Sequence, residues 1–307
     1  MSGTVVLTGG VGGAKLVLGL LNTVDPSYVT AIVNVGDDFR HLGLHISPDI
    51  DTLLYTLSGK ANAAQGWGRQ DETWSLLTTL KELGGEDWFL LGDHDMAVHV
   101  LRTHMLAQGQ TLAEVTRHVA SKWGIAATIF PASNDPVATL IDSDEDTLEF
   151  QRYFVEKRCA PAVRAVRFSG AETAAPADGV IEAIHAADAV LIAPSNPWLS
   201  VDPVLAIPGI RAALQQCSAP VVAVSPLIGG KAVKGPTAKL MGELGLAISN
   251  TAIAEHYRGL IDGLLIDEGD ECDGQELSIG RTATLMSTLD DKVRVAKAAL
   301  ALAARLA

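Results

Sequence analysis

Short, unbroken apolar runs punctuate this chain at 5–7, 30–35, 190–193, 221–225 and 264–267. Each is too short for an ordinary helix and lacks the alternation of a half-exposed strand. Each therefore predicts a strand buried on both faces. Between the later runs, apolar positions return at helical spacing over 178–185, 209–216 and 237–244. Strand and helix in alternation predict a doubly wound α/β fold, with a mostly parallel sheet that binds ligands beyond the carboxyl ends of its strands.

The pattern changes between 71 and 123, where helices are predicted over 72–83, 96–107 and 112–122, broken by Gly84-Gly85 and Gly109. A sheet-poor stretch inside an α/β pattern predicts a mainly helical insertion, at about 60–125, within one domain covering 1–307. Short strands near 127–130, 138–141 and 163–168 are predicted to return the chain to the sheet. No internal repeat or low-complexity linker interrupts it.

Composition narrows the function. The 307 residues are 48% hydrophobic, enough for one large core, and carry a formal net charge of −13. That charge argues against nucleic-acid or anionic-membrane partners, which need a basic surface. No basic segment followed by an apolar stretch opens the chain, and its alanine-rich end is interrupted by Arg294, Lys297 and Arg305. The expectation is a cytoplasmic protein with no membrane span. Cys159, Cys217 and Cys272 are more than fifty positions apart, so neither zinc spacing nor a disulfide framework is expected.

The candidate chemistry lies where apolar runs end. After the first run comes Thr8-Gly9-Gly10-Val11-Gly12-Gly13, then the helix-like Ala14-Lys15-Leu16. Such a loop lets backbone N–H groups and a helix dipole meet phosphate oxygens. It matches neither common fingerprint. A dinucleotide motif counted from Gly10 ends on Lys15, and a Walker loop would need Ser or Thr where Leu16 stands. The alternative to ligand binding is a tight strand–helix turn that needs glycine for geometry alone.

The second run ends in Asn34-Val35-Gly36-Asp37-Asp38, and Pro48-Asp49-Ile50-Asp51-Thr52 opens a helix-like segment. One carboxylate can cap that helix; four around one pocket are more economically held by a cation, with magnesium the simplest choice. Gly92-Asp93-His94-Asp95 reads first as a helix cap, and His99, four residues after Asp95, as part of a solvated face, with a metal pair as the sharper alternative. Pro194-Ser195-Asn196-Pro197 and Ser225-Pro226 follow later strands, the second continuing through Gly229 to Lys231 and Lys234. These are ordinary turns or ligand loops, with the lysines either solvated or on phosphate. Trp67, in Gly66-Trp67-Gly68-Arg69, could stack on a flat ring, whereas Trp88 and Trp123 read as core.

Taken in order, these segments resemble one family. The set also includes Gln70-Asp71-Glu72-Thr73-Trp74, Leu91-Gly92-Asp93, Pro131-Ala132-Ser133-Asn134-Asp135 and Leu227-Ile228. The chain resembles the phospholactate transferases of coenzyme F420 biosynthesis in their bacterial form. The resemblance implies a Rossmann-like core with an inserted subdomain, a homodimer and a magnesium-dependent reaction. In that reaction a phosphorylated three-carbon acid (phosphoenolpyruvate, phospholactate or phosphoglycerate) moves from a GDP-linked donor to the deazaflavin Fo, and GMP is released. One position departs from the family pattern: His94 stands where arginine is expected, which puts donor choice in question.

The resulting expectation is specific. Gly9, Gly10, Gly12, Gly13 and Lys15 cradle phosphate beside Asn34. Asp37, Asp49 and Asp51 hold magnesium, and Asp51 or Asp49 accepts the proton. Ser195, Asn196, Ser225 and Gly229 hold the guanosine half, and Trp67 faces the deazaflavin with Asp93 and His94. The competing expectation is a non-enzymatic, nucleotide-sugar-binding regulator, which shares the glycine loop. A nicotinamide-dependent dehydrogenase is disfavoured by the glycine spacing.

Overall fold

A computed structural model describes residues 3–62, 65–232, 235–273 and 277–307. Its central sheet holds β1 (Thr4–Thr8), β2 (Val29–Val33), β3 (Thr128–Pro131), β4 (Ala189–Ile192), β5 (Val221–Val224), β6 (Gly263–Asp267) and β7 (Ser278–Thr282). All pair in parallel, in the spatial order β7-β6-β5-β4-β1-β2-β3. This is a Rossmann-like α/β fold. Strands β1, β4 and β5 are buried at every residue, as a sheet covered on both faces requires.

The order reverses between β1 and β4, and the loops leaving these neighbours diverge to open a crevice. Helix α1 (Gly10–Leu21) leaves β1 and packs on the C-terminal helix Leu289–Ala304 and on α2 (Pro48–Leu57). Gly19 permits the first contact, because a Cβ there would collide with the Lys292 carbonyl. The C-terminal helix begins in a capping box between Thr288 and Asp291.

Helices α3 (Ser75–Glu82), α4 (Asp93–Ala107) and α5 (Leu112–Lys122) occupy the sheet-poor stretch. The first two cap one another. Asp93 accepts hydrogen bonds from Ser75 N and Leu76 N, while Glu72 accepts from His94 N and Asp95 N. These exchanges set both helix starts, later than the apolar pattern for α3 and earlier for α4. A Thr111–Glu114 capping box starts α5, which packs against β3.

One expectation needs correction. Only β3 among the three short middle strands joins the main sheet. Ala138–Ser143 and Val163–Ser169 pair antiparallel with each other, and with Thr147–Glu149 make a separate three-stranded sheet. Ala138–Ser143 alternates buried and half-buried positions, the signature of a sheet covered on one face. Among the described residues no helix is long and apolar enough to cross a membrane.

Candidate functional site

A cleft of about 720 Å³ opens over the carboxyl ends of β1, β2, β4 and β5, within the size range of small-molecule sites. Gly9, Gly10, Gly12 and Lys15 line it, as do Asn34, Asp37, Asp49, Asp51, Trp67, Ser195, Asn196 and Ser225. Most of the residues named from sequence therefore meet in one place.

The glycine loop is shaped by close approach. Gly10 takes a left-handed φ of +65°, and a Cβ at Gly9 would come within 2.6 Å of Asp49 Oδ2. At Gly12 a Cβ would lie 2.6 Å from the Pro194 carbonyl. Gly13 packs against Thr8 and does not line the cleft. Packing thus accounts for the glycines. The N-cap residue Gly9 has no side chain to offer and the first turn of α1 holds no acid of its own, but Asp49 Oδ1 accepts from Gly10 N, and Val11 and Gly12 carry the helix start into the cleft. The positive dipole end at this turn suits an anion. Lys15 Nζ donates to the Met286 carbonyl at 2.7 Å on the same wall.

Asp37 and Asp49 form the acidic side of this loop. The Asn34 amide nitrogen lies 3.0 Å from Asp49 Oδ2 and 3.5 Å from Asp37 Oδ1. Asp49 Oδ1 accepts from Gly10 N at 2.6 Å, and Asp37 Oδ2 from Gln151 Nε2 at 3.3 Å. Every partner is neutral. Burial drives the Asp37 carboxyl well above its ordinary pKa, and repulsion from Asp49 and Asp38 adds to the rise. Burial lifts Asp49 to about 6, against the lowering effect of its bonds to Asn34 and Gly10. Asp38 is pulled out of the cleft, its Oδ2 accepting from Ser47 at 2.7 Å and facing His45 Nε2 at 3.1 Å.

Asp51 is differently placed. Both of its oxygens accept from the guanidinium of Arg102, NH1 to Oδ2 at 3.1 Å and NH2 to Oδ1 closer still. Arg102 is 2% exposed although it lies in the middle of α4. The sequence reading of Asp51 as proton acceptor or third metal ligand did not include this guanidinium, which already compensates its charge. The solvated reading of His99 fails. His99 is 1% exposed, with Nδ1 3.6 Å from Asp51 Oδ2 and Nε2 3.3 Å from Asp95 Oδ1. The Tyr55 hydroxyl donates to the same Asp95 oxygen. His99, Tyr55 and Arg102 outweigh burial and hold the Asp95 carboxyl below its usual range, while burial and the two aspartates push the Tyr55 phenol well up.

Among the described residues no three His, Cys, Asp or Glu side chains form a group able to hold a metal alone. Magnesium commonly binds one or two carboxylates together with substrate phosphates. The Asp37–Asp49 pair fits that use: two crowded carboxylates stand beside the start of α1 and, among the described residues, have only neutral hydrogen-bond partners. Asp51 instead has the Arg102 guanidinium against both oxygens.

Three polar loop residues line the cleft yet mainly hold the loops in shape. The Ser195 hydroxyl donates to Gly9 O at 2.6 Å, and Asn196 Oδ1 caps the next turn through Trp198 N and Leu199 N. Ser225 donates to Asn250 Oδ1 at 2.5 Å and accepts from Leu227 N. Asp93 and the exposed His94 do not line the cleft, and neither does Gly229, exposed in a tight hairpin turn at φ +60°. Lys231 is likewise exposed, and Lys234 lies outside the described residues.

Apolar side chains complete the lining, combining Trp67, 46% exposed, with Phe89, Leu90, Phe150 and Phe154. Phe150 and Phe154 stack with ring centroids 5.3 Å apart, on a stretch that includes the π-helical turn Arg152–Glu156. Apart from Trp67, sequence reasoning missed these side chains, and it missed Gln151 and Arg102. Arg102 left one usable signal: it falls in the Met96, His99, Met105 stripe of α4, where an unpaired arginine would be costly.

A family model described as 2-phospho-L-lactate transferase CofD matches residues 4–301. A phosphoenolpyruvate transferase of Kitasatospora aureofaciens is 42% identical over 311 residues, covering 97% of both chains. One from Streptomyces coelicolor is 41% identical over 310 residues, again with 97% of each chain covered. Among solved structures, a UPF0052 family protein from Bacillus halodurans superposes with a TM-score of 0.66 at 20% identity, over 98% of this chain and all of that one. That likeness supports the fold alone.

Proposed function

Because this chain belongs to the CofD family and is thereby a transferase of coenzyme F420 biosynthesis, we propose that it moves a phosphorylated three-carbon acid from a GDP-linked donor to Fo, releasing GMP. Phosphoenolpyruvate is the first candidate for the acid, since the relatives at about 40% identity are named for it. The observation that carries the proposal is the two-part cleft. The start of α1 and the paired aspartates make up one part of its lining, and apolar, partly aromatic side chains the other. The first part suits a diphosphate, the second a flat heteroaromatic ring.

In this reading the N–H groups at Val11 and Gly12 and the dipole of α1 bind the donor phosphates, with Lys15 beside them. Asp37 and Asp49 hold magnesium, which when bound offsets charge on the diphosphate and on the departing GMP. Asn34 spaces the two carboxylates through its amide nitrogen, and its Oδ1 accepts from Gly36 N at 2.8 Å, which fixes that amide. Ser195 and Asn196 keep the glycine loop and its neighbour in register, and Trp67 and Phe154 cover the acceptor ring. His94 lies outside the cleft, so the proposal gives it no part in selecting the donor.

Calorimetry with GDP, with and without magnesium, tests the phosphate side. Magnesium is expected to tighten GDP binding about tenfold, a coupling of ordinary size between two ligands of one site. Equal affinity under both conditions would remove the metal from this reading.

A further inference from the structure

Four aspartates line the cleft, and three have both carboxylate oxygens engaged by protein donors: Asp37, Asp49 and Asp51. Asp95 differs. Its Oδ1 accepts from Tyr55, whereas no protein donor stands against Oδ2 among the described residues. Its side chain is 16% exposed, against 6% for Asp51. Asp95 therefore brings an uncommitted carboxylate oxygen to the cleft.

The residues behind Asp95 fix its state. Arg102 NH1 lies 3.3 Å from His99 Nδ1, and a guanidinium only donates, so Nδ1 accepts and the imidazole proton sits on Nε2. That proton is on the side of Asp95, 3.3 Å from Oδ1 and outside hydrogen-bond alignment. Tyr55 comes from α2 and donates to the same oxygen. Two elements thus converge on Oδ1 and leave Oδ2 for a ligand.

We propose that Asp95 is a catalytic residue of the transfer: Oδ2 receives the acceptor's alcohol and takes its proton, while Tyr55, His99 and Arg102 position the carboxylate. The inference rests on the transfer reading above. As the step proceeds, the alcohol oxygen bonds to the donor phosphorus and the bond from that phosphorus to the GMP oxygen breaks. The alcohol proton passes to Asp95 Oδ2 and from there to water. No oxidation or reduction is involved. A carboxylate oxygen without a protein donor suits an alcohol, which supplies the hydrogen that Oδ2 lacks.

The test is steady-state transfer by Asp95→Asn beside the wild type, with magnesium-dependent GDP binding and thermal melting measured on both. The expected result is a fall in kcat of about 100- to 10,000-fold, the usual span for losing a positioned acid–base group, with GDP affinity and melting retained. Transfer by Asp95→Asn within threefold of the wild type (about 0.7 kcal/mol of barrier) would overturn the inference alone. A wild type inactive with every donor would overturn the underlying reading together with it. If Asp95→Asn melts early, Tyr55→Phe gives the second readout. It is expected to lower kcat about tenfold at unchanged donor KM, and full-rate turnover would contradict the positioning role.

Discussion

On the glycine-loop side of the cleft, Asp37 and Asp49 lie among neutral amides. On the side between α2 and α4, Asp51 and Asp95 lie among a guanidinium, an imidazole and a phenol. The same residue type thus meets two environments, and the carboxyl groups respond in opposite directions. Asp37 and Asp49 are pushed up by burial, with repulsion from neighbouring aspartates adding to it, while Asp95 is held down by its partners. Crowded carboxylates without a cation are arranged to receive one. Of the two compensated carboxylates, Asp51 serves position, while Asp95 keeps one oxygen without a protein donor among the described residues. In the proposed reading the contrast separates a metal-binding half from an alcohol-binding half within one cleft.

Breaking the compensated half should have the largest effect on stability. Arg102→Met leaves Asp51 buried without its cation, and such a loss costs about 3–5 kcal/mol. Chemical denaturation should show it, and a midpoint like that of the wild type would mean Asp51 reaches another partner. Arg102→Lys is expected to recover only part, since an ammonium cannot match both oxygens at once.

The same kind of change on the other half should act in reverse. Asp37→Asn removes a buried carboxyl whose ionisation opposes folding, so the metal-free protein should be unchanged or more stable, by up to about 2 kcal/mol. The tightening of GDP binding by magnesium should disappear in the same variant. Loss of stability without loss of the magnesium effect would reverse the assignment of the two halves.

Acidity sharpens the comparison further. Asp49 is raised to about 6, so its native carboxyl holds a proton more tightly than an unfolded aspartate does. Its contribution favours the metal-free fold below the ordinary aspartate pKa and is lost as pH rises through about 6. Metal binding needs the ionised form, so magnesium-assisted GDP binding should weaken as pH falls through the same value. Excess magnesium should move that midpoint lower. A midpoint that ignores magnesium concentration would detach Asp49 from the metal.

The smallest expected effect lies on the apolar wall. Trp67→Ala should raise the acceptor KM about tenfold through lost stacking and buried area, with GDP affinity unchanged. Equal losses for donor and acceptor would place Trp67 between the two ligands.

The doubly buried strands were legible because their apolar runs are continuous, and β1 to β6 all lie within a residue or two of the expected spans. The edge strand β7 was not, since Ser278-Ile279-Gly280-Arg281-Thr282 carries only one large apolar side chain. Its pairing with β6 comes from backbone hydrogen bonds, which leave little trace in composition. The glycine loop, Asn34, Asp37 and Asp49 were legible because loops at a switch point concentrate such residues. Arg102 and the Tyr55–Asp95 contact were not, because α2 and α4 meet only in the folded chain. Asp93 misled for a related reason: a helix-opening acid looks the same whether it faces a ligand or caps a neighbouring helix, and here it caps α3.

The most direct test of the account is transfer itself. Purified protein is incubated with Fo, magnesium and each GDP-linked three-carbon acid in turn, and products are followed by mass spectrometry with GMP release. The account predicts a phosphodiester of Fo and one equivalent of GMP, with the phosphoenolpyruvate donor turning over fastest. No Fo product with any donor, in protein that binds GDP with magnesium, would contradict it.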